Sequence, residues 1–169
     1  NLLVDYLLEN NFNITILTGK YSDDLNNVEI YNNLKIIRTK ISFRFSRGFY
    51  SFDLIKKFFN ESKKNDYINI HFPIAEIFPL IFLFRKSVIF NYHCLPHYNS
   101  LLFKFIKFYF YIFGIIGMFF SKNIVIQTKD YFFDFVFHNL FTKKTIEIPA
   151  YIKQTPIISN LSNKIKHFP

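Results

Sequence analysis

Two histidines in this chain stand where strand-like runs stop. His71 follows Tyr67-Ile68-Asn69-Ile70, and His93 follows Ser87-Val88-Ile89-Phe90-Asn91-Tyr92. Short runs rich in β-branched and aromatic residues read as strands. A histidine at such a place can hydrogen-bond a sugar hydroxyl or a phosphate, and its ring titrates near neutrality. A lone histidine is more often a structural residue than a catalytic one, but two at consecutive strand ends, in a fold that binds ligands there, bring the two readings level. Thr128 ends a third run, Asn123-Ile124-Val125-Ile126-Gln127-Thr128, and Lys129 follows it. Two readings of Thr128 stand side by side: a hydroxyl presented to a ligand, or a helix N-cap. His97 and His138 have weaker cases, and His138 reads as a solvated residue on a helix. The spacing of His71, His93 and His97 matches no zinc pattern, and with Cys94 the single cysteine there is no Cys-pair zinc site.

The elements that position these residues alternate along the chain. Residues 1–11 read as the end of a helix, with Leu2, Leu3, Tyr6 and Leu7 on one face. Asn13–Thr18 reads as a strand stopped by Gly19, residues 20–34 as a polar loop, and Leu34–Arg38 as a strand. Gly48–Lys64 reads as a helix, with Leu54, Ile55, Phe58 and Phe59 on its apolar side. Helices are also expected over Ala75–Phe84, Leu101–Phe120 and Asp130–Leu140, and a last strand over Thr145–Pro149. Strands alternating with helices imply an α/β fold, with a mostly parallel sheet and helices on both faces. Such strands suit burial on both sides, and ligands bind beyond their carboxyl ends. Gly19, His71, His93 and Thr128-Lys129 therefore mark the edge of interest.

Composition narrows the function classes. The 169 residues are half hydrophobic and include 25 Phe and 11 Tyr, so the chain can build a core. The net charge of +9 points to an anionic partner. The lysines are dispersed, as at Lys56-Lys57, Lys63-Lys64 and Lys143-Lys144, and form no nucleic-acid motif. No nucleic-acid partner is expected. Leu101–Phe120 is the one candidate for a membrane span. It carries Lys104 and Lys107, and the uncharged run from Phe108 to Phe120 is shorter than the ~20 residues a span requires. It reads instead as a core helix whose aromatic face touches lipid. One cysteine and no secretory signal pattern make a cytoplasmic chain, peripheral on the inner face of the membrane, the expected location.

Five segments, in this order, resemble the N-terminal domain of the family-four-like glycosyltransferases, which have the GT-B architecture of two Rossmann-like domains. They are LLVDYLLENNFNITILTG at residues 2–19, NDYINIHFP at 65–73, SVIFNYHCLPHY at 87–98, SKNIVIQTKDY at 121–131 and KKTIEIPAYI at 143–152. The resemblance covers residues 1–152, with 153–169 as an irregular tail or linker towards a C-terminal domain. It implies a first strand and a glycine-containing loop before Asn1. It also implies retaining transfer from a nucleotide sugar, held on the C-terminal domain, to a polysaccharide or glycolipid acceptor held on this one. His93 matches the family's strand-end histidine and is implied to orient the sugar and stabilise developing charge. His71 would line the acceptor side, Thr128 matches a strand-end hydroxyl, and Lys129 would offer charge to a phosphate. No cofactor or metal is implied on residues 1–152, and these residues alone would not complete the reaction. The closing segment departs from the family in having Ala150-Tyr151 after Pro149, with no glycine. Two other readings remain: a non-catalytic glycan- or lipid-binding remnant of the fold, and a small protein anchored in the membrane by Leu101–Phe120.

Overall fold

A computed structural model describes residues 2–149 apart from 46–47, 73, 86, 94–100, 134 and 136. Cys94, His97, the end of the expected domain at 150–152 and the tail at 153–169 lie outside the described residues. The chain is α/β. Helix α1 (Leu2–Glu9) leads through Asn11, whose φ of 60° reverses the chain, into β1 (Ile14–Gly19). Strand β2 (Val28–Tyr31) turns at Asn32 into β3 (Leu34–Thr39), and β4 (Phe43–Phe45) forms a hairpin with β5 (Gly48–Tyr50). Helix α2 (Phe52–Ser62) precedes β6 (Ile68–Phe72). A broken helical segment, with α3 (Phe78–Ile81) at its centre, precedes β7 (Val88–Tyr92). Helix α4 (Leu101–Phe120), β8 (Asn123–Ile126), α5 (Lys129–Phe133) and β9 (Thr145–Glu147) complete the order.

Two sheets result. One has the order β1-β3-β2, with β1 and β3 parallel from Ile14↔Leu34 to Gly19↔Thr39. The other has the order β6-β7-β8-β9 and is parallel throughout. Residues 20–34 differ from the expected loop, because Val28–Tyr31 pairs antiparallel with β3. Arg38 clamps that hairpin by donating from Nη1 to Glu29 Oε1 at 2.7 Å and from Nη2 to Oε2 at 3.3 Å. Asn32 takes φ 48° at the turn, a left-handed conformation that asparagine tolerates.

Three expected helices are shorter than the periodicity indicated. Gly48–Tyr50 is strand, and α2 begins only at Phe52 because Ser51 caps it, its Oγ accepting from the Leu54 N–H at 3.1 Å. Between Ala75 and Phe84 the α-helical part is confined to Phe78–Ile81, flanked by 3₁₀ turns. Pro79 restricts the residue before it and lacks an N–H. Of Asp130–Leu140, α5 covers only up to Phe133, and His138–Leu140 is a 3₁₀ turn. His138 is half-buried, not a solvated surface residue, and its Nδ1 donates to the Phe135 carbonyl at 2.9 Å.

Burial in the four-stranded sheet also departs from expectation. Ile68, Ile70, Phe72, Val88, Phe90, Tyr92, Ile124 and Ile126 are buried, whereas Asn69, His71, Ile89, Asn91, Asn123 and Val125 between them are half-buried or exposed. This period-2 alternation marks one covered and one open face. The covered face packs against Leu54 and Phe58 of α2, Phe110 and Met118 of α4, and Phe132, Phe135 and Phe141. Sequential strand order explains this, since right-handed crossovers between successive neighbours bring their helices to the same face. Phe72 is central to the core, with its ring near Phe90, Tyr92 and Phe110 and against Gly114 of α4. The C-terminus of α4 is held by Lys144, whose Nζ donates to the carbonyls of Phe119 at 2.9 Å and Ser121 at 3.2 Å. A cation placed at these carbonyls also complements the helix dipole.

Glu76 is a charged group inside the core, at 7 % exposure. Its Oε1 accepts from the Ser51 N–H at 3.3 Å, just ahead of α2. Burial pushes its carboxyl above the usual 4.5, against hydrogen bonds from its own and the Ser51 backbone that favour the anion. A raised carboxyl pKa contributes stability that is present below 4.5 and is lost as pH rises through the folded value. Glu76→Gln keeps the acceptor for Ser51 and removes the buried charge. Thermal melts are expected to show the variant more stable than wild type at neutral pH, with the difference closing below pH 4.5. A variant less stable at neutral pH would show that the ionised carboxylate is favourable where it lies.

Candidate functional site

The carboxyl ends of β6, β7 and β8 carry a hydrogen-bonded chain of three side chains. His71 lies inside β6, one residue before its end, on the open face. It is paired in register with Asn91. His93 is the first residue after β7, and the parallel register brings the two rings together. His71 Nδ1 and His93 Nε2 are 2.9 Å apart, with ring planes inclined by 13°. On the far side, Gln127 Nε2 lies 3.2 Å from His93 Nδ1. Beneath the pair, Asn91 Nδ2 donates to Asn69 Oδ1, so the open face below the histidines is polar.

This connectivity couples the tautomers of the two rings to each other and to the orientation of the Gln127 amide. With the Gln127 amide nitrogen facing His93, Gln127 donates to Nδ1 of a neutral His93. His93 then carries its proton on Nε2 and donates to His71 Nδ1, and His71 carries its own proton on Nε2. Turning the Gln127 amide over reverses every bond and leaves His71 Nε2 as an acceptor. Both ring nitrogens of His93 are engaged within the protein in either case. His71 Nε2 is the end of the chain, able to donate or to accept according to the state of Gln127.

Both rings favour the neutral form. Burial lowers the pKa of His71, and the neighbouring His93 charge lowers it further. Burial lowers that of His93. His71 keeps an exposed side and His93 is half-buried, so solvent screens part of this effect. A histidine pKa depressed below 6.5 favours folding above that value, and the contribution declines as pH falls below it towards the folded value.

Thr128 is exposed and directly follows Gln127, at the start of α5. Lys129 is turned to Glu147 of β9: its N–H donates to Oε1 at 3.3 Å, and its Nζ is 3.6 Å from Oε2. Its charge is thereby shared with a carboxylate. The Gly19 strand end is covered by Phe49, whose ring lies 2.9 Å from where a Cβ would stand. Gln127 and Glu147 were not legible as site residues. The run Asn123–Thr128 reads as one strand, but β8 ends at Ile126, and this makes Gln127 its strand-end residue. Among the described residues, no three His, Cys, Asp or Glu side chains are grouped as a metal site requires.

No known protein family matches the sequence, and no characterised protein matches it. The site is a chain of neutral, polar side chains hydrogen-bonded to one another at the strand ends of a parallel sheet. Such a chain suits an uncharged hydroxyl better than a metal or a strongly acidic group.

Proposed function

We propose that this chain is the acceptor-side half of a retaining, nucleotide-sugar-dependent glycosyltransferase of the GT-B type, acting on a polysaccharide or glycolipid. The observation that carries the reading is the His71–His93–Gln127 chain at the carboxyl ends of three consecutive parallel strands, where open α/β sheets bind ligands. On this reading His71 Nε2 meets a sugar hydroxyl, while His93, itself held by Gln127, fixes the His71 ring and its tautomer so that the bond is in place as the transition state polarises the hydroxyl. Strand order also supports the reading. Among the described residues, β1 pairs only with β3 and β6 only with β7. One more parallel strand between those edges would give the doubly wound order, with its reversal of direction beside His71. The nucleotide sugar would lie on a second domain.

The test is turnover of a panel of uridine- and guanosine-diphosphate sugars by the full-length gene product, with membrane lipid extract as acceptor. Transfer of labelled sugar to the extract is expected. Saturable glycan binding without turnover of any donor would replace this reading with that of a binding module.

A further inference from the structure

Helix α4 is apolar on both sides. Phe110, Gly114, Gly117 and Met118 are buried on one face. On the opposite face, at helical spacing, Phe105, Phe108, Tyr109, Ile112, Ile116 and Phe119 form one stripe. Phe105 is 70 % exposed, Phe108 63 % and Phe119 67 %. The stripe is about 21 Å long at 1.5 Å per residue and includes no charged residue. Phe82 and Leu83, both exposed, lie at its C-terminal end, with the Phe82 ring 6.2 Å from that of Phe120. A surface helix of a water-facing protein has its polar residues on this side. No described helix is long and apolar enough to cross a membrane.

Charge indicates what covers this stripe. From Ile77 to Lys122 the chain has Arg85, Lys86, Lys104, Lys107 and Lys122 and not one Asp or Glu. Arg85 and Lys122 border a shallow, open hollow together with Phe119, Phe120 and Ser121, so cations and exposed rings meet at the end of the stripe. An identical copy would bring the same positive charge to the contact. A bilayer with anionic headgroups takes rings at its interface and cations beside its phosphates. We propose that the outer face of α4 seats on an anionic membrane surface, with Arg85 and Lys122 receiving a headgroup phosphate. The helix lies in the interface and does not span it. This inference stands apart from the sugar-transfer reading.

The test is flotation of the 169-residue chain with vesicles of phosphatidylglycerol and phosphatidylcholine, or of phosphatidylcholine alone. Binding is expected to the anionic vesicles, with affinity falling about fivefold for each cation neutralised in Arg85→Gln and Lys122→Gln. The Phe105→Ser/Phe108→Ser/Phe119→Ser variant should lose about tenfold or more. Ile30→Ser, an exposed apolar residue on β2, should bind as wild type. The chain has no tryptophan, so Phe108→Trp provides a second readout that does not depend on the triple variant folding. Its fluorescence should shift to the blue on anionic vesicles and be quenched by brominated lipid. Absence of binding by wild type, equal binding by a folded triple variant, or an unshifted Phe108→Trp spectrum each overturns the proposal. So does a wild-type dimer that the triple variant dissolves, which would assign the stripe to a second copy.

Discussion

His71→Ala is expected to lower the turnover of the proposed sugar transfer by about 10²–10³-fold, the usual loss when a positioned polar group at a developing charge is removed. The acceptor KM should change much less, because the bond strengthens mainly as the hydroxyl polarises. His93→Ala should cost a comparable factor without touching substrate, since the pair acts as a unit and its losses do not add. Two readouts separate positioning from mere structural support. His93→Gln can still place an amide against His71 Nδ1 and should recover much of the loss. The acid limb of the pH–rate profile should move to higher pH in His93→Ala, because the His93 charge helps hold the His71 pKa down. Rates for both alanine variants within threefold of wild type would remove the pair from the chemistry.

Phe72→Ala is expected to cost about 3–5 kcal/mol of folding stability, the usual range for deleting a buried aromatic ring. Phe72 is 1 % exposed, and its ring touches rings from β7 and α4 together with the Gly114 backbone. The ring is held from several sides, so a cavity left there has little freedom to collapse. Total stabilities of ~5–15 kcal/mol make this loss a large fraction of the whole. Urea unfolding followed by circular dichroism measures it, and a loss below 1 kcal/mol would show that the sheet and α4 are not packed through this residue. Phe72 is also the neighbour of His71 in β6, so the variant should loosen the site as well as the core.

The long-range order of the fold was legible because its signals are local and strong. Leu101–Phe120 reads as a helix from a long, mostly apolar run interrupted only by Lys104 and Lys107, and the same bounds are found. The parallel strands read from β-branched runs, and the histidines from where those runs end. Misread elements depend on partners distant in sequence. Val28–Tyr31 sits in a polar stretch and is held as a strand by β3 and by the Arg38–Glu29 clamp. Gly48–Tyr50 continues a helical pattern on paper, but Ser51, bonded to Lys40 and Glu76, sets the helix start later. The expectation of strands buried on both faces came from composition, yet the alternation Ile68-Asn69-Ile70-His71-Phe72 was already written in β6. The His71–His93 contact is a matter of register, which no single segment contains. Gln127 was hidden by a strand boundary placed two residues too far on.

The hydrogen-bonded chain is tested most directly by nitrogen-15 titration of the imidazole rings of His71 and His93 in the 169-residue chain. The expected result is that both rings titrate below 6.5, that the two rings hold the same tautomer, both Nε2–H or both Nδ1–H, and that His93→Ala raises the value for His71. Two rings titrating independently at or above 6.5, with His71 indifferent to the loss of His93, would contradict it.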